Sequence, residues 1–333
     1  MAGLIGGSGS TGSSLLRQIL NRNSHVFCGP ETSLFCKPEL YEDWKNNKNA
    51  ILKTGYGGLR SKSWHIYRGF ELTKKENNVS LDLLTQMIDE STSFQEFVQK
   101  YFGANLDLTR NIWLEKTPGN AYCFRQFLQS FPKGKIIHIY RNPYDTIASL
   151  FNRGFSHYQA TCIYILNTSF ALREKNSPVY TQLSYESLVN KPVEQIKNLC
   201  THLDVDYEAA MLESNDEKYD DDPSKIKGWN YDETGQISKG SIGKFETLKE
   251  KDKEIIIYAC KTVQIADNTV KTEKLHHNNV LSLSKELGYS FKEKRTPAHY
   301  QLLKKEKFQD LLLRTRKNAF YNFFNYPMVL NKI

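Results

Sequence analysis

The sequence predicts an α/β fold: a P-loop-like parallel sheet flanked by helices on both faces, with a helical insert and a C-terminal helical tail. Three observations carry it. Short apolar runs alternate with amphipathic stretches from residue 2 to residue 189, the pattern of repeated βα units. The chain opens on a strand, a Gly/Ser/Thr turn and a helix, the geometry in which backbone N–H groups converge on an anion. The apolar run "GKIIHIY" (134–140) then delivers Arg141 at its C-terminal end, where open α/β sheets place their ligands.

Taken in order, Ala2 to Ile5 form the first strand, and Leu15, Leu16, Ile19 and Leu20 recur at helical spacing after the turn. "HVFCGPETSLF" (25–35) reads as a short strand ending at Gly29-Pro30. Residues 37 to 110 read as mostly helical, broken by "KTGYGGLRSKSWHIYRGF". "NIWLEKTP" (111–118) is a strand stopped by Pro118, "NAYCFRQFLQSF" (120–131) a helix, and 134–140 a buried strand. The next helix has Asn142 as cap and Pro143 at its first position. "SPVYTQLSYESLV" (177–189) gives a further strand and a turn into a helix. From 212 to 245 the chain is polar and turn-rich, which predicts a long surface loop that closes or binds. The tail from 296 is helical and mixed, ending in the aromatic "RKNAFYNFFNYPMVL". Packing back on the domain is its expected fate.

At 333 residues, 39% hydrophobic and 25% charged, the composition is that of a globular chain with ample core. A net charge of +8 favours anionic ligands. No motif or dense basic block points to nucleic acid. The six cysteines are scattered without a CxxC pair, which predicts buried reduced thiols rather than zinc or disulfides. No apolar run approaches the length of a membrane span. The first core strand leaves no room for a signal peptide, so the expected location is cytoplasmic.

The opening loop, "GGSGSTGSSLLRQIL" (6–20), spaces Gly7 and Gly12 as a Walker A loop does, but Ser13 sits where that loop requires Lys. The informative segment is "EKTPGNAYCFRQFLQSFPKGKIIHIYRNPYDTIASLFNRGF" (115–155). Arg141 at a strand end, with Ser149 and Arg153 one turn apart on the following helix, makes a forked pocket for a phosphate monoester. Read alone, the same residues also fit an Arg141–Asp145 ion pair with an indifferent Ser149.

The order of these elements resembles the sulfotransferase superfamily, which transfers a sulfuryl group from 3′-phosphoadenosine 5′-phosphosulfate (PAPS). The matching motifs are "GGSGSTGSSLL", "EKTP", "RNPYDTIAS" and "SKGSIGKF", within roughly residues 3 to 245. "EKTP…FP…RNPYDTIASL" is similar to bacterial and tyrosylprotein sulfotransferases in particular. The resemblance implies a sulfotransferase domain over 1–295, with a helical acceptor-side insert at about 40–110 and the tail 296–333 packed on it. It implies that Gly9, Ser10, Thr11, Gly12, Ser13 and Ser14 wrap the 5′-phosphosulfate. Arg141 and Ser149 would hold the 3′-phosphate with Arg153 behind them, Tyr185 would lie against the nucleotide, and Lys239, Gly240 and Lys244 would close over it. PAPS is released as PAP, and no metal is expected.

Cytosolic relatives place a catalytic His where this chain has Pro118. The tyrosylprotein branch uses a Glu in a motif resembling "CGPET", which makes Glu31 the expected base, or else a capping or salt-bridged carboxylate. Lys116 would face the sulfonate oxygens. The chain departs from the family at Ser10, where Arg or Lys usually neutralises the leaving phosphate; the expectation is that Lys116 or the late-loop lysines supply that charge. Two other readings remain. One is a P-loop kinase or nucleotide hydrolase, which lacks the loop Lys and a Walker B Asp. The other is a catalytically degenerate PAP- or glycan-binding protein, which Ser10 keeps alive. The hydroxyl acceptor (carbohydrate, phenol or tyrosine, or lipid) and the oligomeric state are left open, with Tyr56, Arg60, Trp64, His65 and Tyr67 as candidate acceptor-site residues.

Overall fold

The computed structural model describes residues 1–29, 31–54, 79–213, 237–265, 274–291 and 299–315. The candidate acceptor residues Tyr56 to Tyr67, most of the polar loop and the aromatic end of the chain lie outside the described residues. A parallel sheet of five strands organises the rest. The strands are β1 (Ala2–Gly7), β2 (Val26–Cys28), β3 (Ile112–Lys116), β4 (Lys135–Tyr140) and β5 (Tyr180–Ser184), in the spatial order β2-β3-β1-β4-β5. Helix α1 (Ser13–Asn21) joins β1 to β2 on one side of the sheet, whereas the connection from β3 crosses over β1 to β4. Connections that diverge in this way open a crevice at the strands' carboxyl ends. Register places Ile5 beside both Lys116, where β3 ends, and Ile137, with β1 and β4 running on to Gly7 and Tyr140.

Alternation along the strands explains why both faces are covered. Ile5, Leu114, Ile137 and Ile139 pack with Leu16, Ile19 and Leu20 of α1 and with Ile196, Leu199 and Leu203 of a later helix (Pro192–Leu203). Their neighbours Leu4, Trp113 and Ile136 pack on the opposite face against an aromatic cluster that includes Phe35, Phe94, Phe97, Phe102 and Phe127. That cluster comes largely from the insert between β2 and β3: α2 (Pro38–Glu42), α3 (Trp44–Thr54), α4 (Leu81–Glu90) and α5 (Phe94–Gly103). Ser80 and Ser93 cap α4 and α5 by accepting from Leu83 and Glu96 N–H, as the Ser/Thr-x-x pattern favours. After β3, the segment read as one helix is a 3-10 turn (Pro118–Cys123) that relaxes into α6 (Phe124–Ser130). Helix α7 (Pro143–Asn152) starts as its sequence predicts, with the Asn142 side chain accepting from Tyr144 and Asp145 N–H.

Beyond α7 lies α8 (His157–Leu172), buried along nearly its whole length, which the sequence analysis passed over. A helix buried on every side shows no 3.6-residue stripe to detect. Helices α9 (Tyr185–Asn190) and α10 (Pro192–Leu203) follow β5 and belong to the α1 side of the sheet, while α11 (Glu250–Thr262), α12 (Val280–Glu286) and α13 (Tyr300–Thr315) pack directly on α8. Glu306 of α13 accepts from the Tyr158 N–H and lies 2.8 Å from His157 Nδ1, and Gln159 donates to Asp310, so three polar contacts seat that helix. All six cysteines are buried and none forms a disulfide. Among the described residues no helix is long and apolar enough to cross a membrane.

His138, in the middle of β4, is fully buried; its Nδ1 pairs with the Tyr180 hydroxyl at 2.8 Å. Burial pushes its pKa from an ordinary 6.5 down to about 3. The folded chain therefore keeps this imidazole neutral, while the unfolded chain protonates it as the pH drops below 6.5. Its contribution is present above pH 6.5 and is lost on acidification, by about 3 kcal/mol at pH 4. Replacing it, as in His138→Gln, should flatten the acid limb of stability measured by urea unfolding from pH 7 to pH 4. Parallel pH profiles for variant and parent would show that His138 is not the group responsible.

Candidate functional site

The carboxyl end of β1 runs into a loop whose backbone is set by two left-handed residues, Ser10 (φ 67°) and Gly12 (φ 87°). Gly12 is dictated twice: a Cβ there would come within 2.4 Å of the Tyr185 ring, and the conformation itself disfavours a side chain. Thr11 Oγ1 donates to Ser8 O at 2.8 Å, tightening the turn. No side chain caps α1 and no acid lies in its first turn. Its leading N–H groups and positive dipole end are left for an anion from outside. Ser13 is buried and Ser14 half-buried at that end.

Ser10 is an unusual residue for a left-handed backbone, and two guanidiniums hold it. Arg141 Nη1 donates to Ser10 O at 2.9 Å, and Arg153 Nη1 to Ser10 Oγ at 3.2 Å. Arg141 is 3% exposed. Its Nη2 donates to Ser241 O, and its charge lies over the Tyr185 ring, 5.1 Å from the centroid. Burial weighs against its charge, opposed by Asp145 and Tyr185. Asp145 sits 3.8 Å from Arg141 but spends its two oxygens elsewhere, accepting from Gly243 and Phe245 N–H at 2.8 Å each. Tyr185 Oη reaches Ser238 O at 3.2 Å. Arg141, Asp145 and Tyr185 thus fasten the late loop against the opening loop.

On the other side of the crevice Lys116, the last residue of β3, is 2% exposed. Its Nζ donates to Ser14 Oγ at 3.1 Å and pairs with Glu31 Oε1. Glu31, with 27% of its side chain exposed, is reachable from solvent. The neighbouring Glu115 is buried and builds the platform beneath it. One oxygen accepts from Thr32 N–H, Thr32 Oγ1 and Thr117 Oγ1 at 2.7–2.8 Å; the other accepts from Asn120, whose amide also reaches Ile5 O. Burial raises the Glu115 pKa, against the pull of these hydrogen bonds. The platform ties the Glu31 segment to the ends of β3 and β1.

A family model described as "Sulfotransferase family" matches residues 4–209, more than half of the chain. The chain belongs to the sulfotransferase family. Among solved structures, the sulfotransferase domain of the olefin synthase from Synechococcus PCC 7002 shares its fold, with a TM-score of 0.54 at 16% identity, over 88% of this chain and 95% of that one. The sulfotransferase domain from the curacin biosynthetic pathway follows at 0.43 and 18%, over 88% and 98% of the two chains. A sulfotransferase from Alicyclobacillus acidocaldarius stands at 0.39 and 14%, over 64% and 86%. Both lie too far in structure to bear on the site. No curated protein matches the chain.

The structure brings Ser10, Ser14, Glu31, Lys116, Arg141, Arg153 and Tyr185 into one connected set. Gly9 lies beside Leu150 and Arg153, and Ser149 is half-buried on α7. Lys239 and Gly240 stand exposed, with Lys244 half-buried at the start of a 3-10 turn (Lys244–Thr247). Glu115, Asn120 and the loop-holding role of Asp145 are not evident from the sequence. An acid inside the apolar strand "IWLEK" was the available signal, since a buried carboxylate must find donors. Arg141 Nε and Ser8 Oγ are buried donors without a hydrogen-bond partner among the described residues, which suits an anionic ligand.

Asp145→Asn should leave one of the two late-loop N–H groups without its acceptor. Hydrogen exchange at Gly243 and Phe245 should then rise by about tenfold or more while protection in β4 holds. Unchanged exchange at both amides would mean that the loop is held by other contacts.

Proposed function

We propose that this chain transfers a sulfuryl group from PAPS to a hydroxyl acceptor by in-line displacement, with Glu31 as base. The observation that carries the reading is Lys116, whose one ammonium touches both the anion loop, at Ser14, and the candidate base, at Glu31. A donor placed between those two lies where charge shifts as the group moves across, and preorganised donors of this kind are usually the largest catalytic contribution. Bound PAPS would supply the activated sulfuryl group and a leaving phosphate. The N–H groups of residues 9–14 and the Ser13 and Ser14 hydroxyls would receive the 5′ end, Arg141 and Ser149 the 3′-phosphate, with Tyr185 against the nucleotide. Lys239, Gly240 and Lys244 would close over it. Glu31 would accept the acceptor's hydroxyl proton as its oxygen attacks.

Ser10 lacks the family's usual positive charge, but Arg153 reaches its hydroxyl and Lys116 reaches Ser14. These supply cations at both ends of the loop and favour transfer over the reading as a degenerate PAP- or glycan-binding protein. Tyrosine or another phenol, a carbohydrate and a lipid hydroxyl all remain candidate acceptors. Six buried cysteines, none in a disulfide, suit a reducing compartment, and we place the chain in the cytoplasm on that ground.

Glu31→Gln keeps the shape of the side chain and removes the base. Turnover in a PAPS-dependent screen of phenol, sugar and lipid acceptors, read by mass, should fall by about 10²–10⁴ with PAP affinity retained. Loss of PAP binding with intact turnover would make Glu31 structural.

Arg141→Ala tests the other end. Losing a buried charge-assisted contact costs about 2 kcal/mol or more, so calorimetry should show PAP weakened by about 30-fold. Adenosine 5′-phosphosulfate, which has no 3′-phosphate, should lose far less. Equal losses would show that Arg141 only joins the two loops.

A further inference from the structure

Outside the transfer site, three metal-binding side chains converge at the end of α12. His276 Nε2 and His277 Nε2 each lie 2.8 Å from the same oxygen, Oε2 of Glu286. The three candidate ligand atoms all lie within 4.8 Å of one another, and all three residues are partly exposed, so an ion has a way in. We propose that His276, His277 and Glu286 bind one divalent transition-metal ion, with zinc the best fit to the donors. Two imidazoles and one carboxylate favour zinc, cobalt or nickel over magnesium and calcium, which take oxygen ligands. The set leaves a fourth tetrahedral position for water.

The backbone holds these ligands in place. His277 N–H donates to Ser169 Oγ on α8, and Ile265 N–H donates to Asn278 O, so the histidine pair is anchored from two directions. Asn279 caps α12 through Ser282 N–H, and Glu286 is that helix's last residue. A carboxylate at the negative end of a helix needs nearby positive charge. Lys175 supplies part of it by pairing with Oε1, which orients the group and leaves Oε2 to face the imidazoles. Partners of this outer kind commonly fix a ligating carboxylate. The same segment continues to Tyr289, whose hydroxyl donates to Glu186; Glu186 in turn accepts from Asn142 N–H, next to Arg141. A metal here would brace the support of the phosphate-binding strand end without touching it. No motif points to it, because an adjacent His pair with a Glu nine residues on is not a common zinc spacing, and no metal was expected.

The test is calorimetric titration of the chelator-stripped full chain with Zn²⁺, with Mg²⁺ in parallel. The expected result is one Zn²⁺ per chain, no measurable Mg²⁺ binding, and a raised melting temperature in Zn²⁺. Glu286→Gln should weaken Zn²⁺ by at least about tenfold, and His276→Ala/His277→Ala should abolish stoichiometric binding. Should the double variant fail to fold, the Glu286→Gln chain and the Zn²⁺/Mg²⁺ contrast in the parent still decide. A parent that binds Zn²⁺ no more tightly than Glu286→Gln, or that binds neither ion, has an ion-pair cluster there and no metal site.

Discussion

The site depends on one buried cation. Lys116 is carried inward by the end of a central strand, and an ammonium so enclosed survives only with partners, since desolvation costs several kcal/mol per ion. Glu31 and Ser14 are those partners. Because they come from two different segments, satisfying Lys116 also fixes the distance between the anion loop and the candidate base. Strand register does the rest: Ile5 lies beside Lys116 in the sheet, so the loop that follows β1 is brought to the ammonium by backbone pairing alone.

Behind these contacts stand two acids with no step of their own in the proposed transfer. Glu115 gathers Thr32, Thr117 and Asn120 under the Glu31 segment; Asp145 gathers the Gly243 and Phe245 amides under the late loop. Both convert a surface excursion of the chain into a fixed wall by giving its N–H groups a buried acceptor. Positioning within fractions of an ångström is worth orders of magnitude in rate, so such supports matter as much as the groups they hold.

Much of this was legible in the sequence wherever local chemistry decides the outcome. The strands were visible as apolar runs between turn residues, the start of α7 from Asn142-Pro143, and Arg141 from its place after a buried strand. The sulfotransferase resemblance rested on motif order, and the family match agrees with it. What sequence could not show was set by tertiary contact. Helix α8 has no polar face to betray its period. Arg153, read as standing behind the 3′-phosphate, lies against the Ser10 hydroxyl, because the end of α7 approaches the opening loop only in the folded chain. Asp145 was weighed as a plain partner for Arg141; its pairing with two amides a hundred residues away depends on where the late loop lands.

In the proposed transfer Lys116, held at Ser14, supplies positive charge to an opening loop that carries Ser rather than a cation at position 10. Single-turnover transfer from labelled PAPS tests it most directly, with the parent, Lys116→Ala, and Lys116→Ala carrying Ser10→Arg, each confirmed folded by circular dichroism. The account predicts that Lys116→Ala abolishes transfer while PAP still binds, and that Ser10→Arg restores part of it. Near-normal transfer by Lys116→Ala would contradict the account, as would a parent that binds PAP yet transfers to no hydroxyl acceptor.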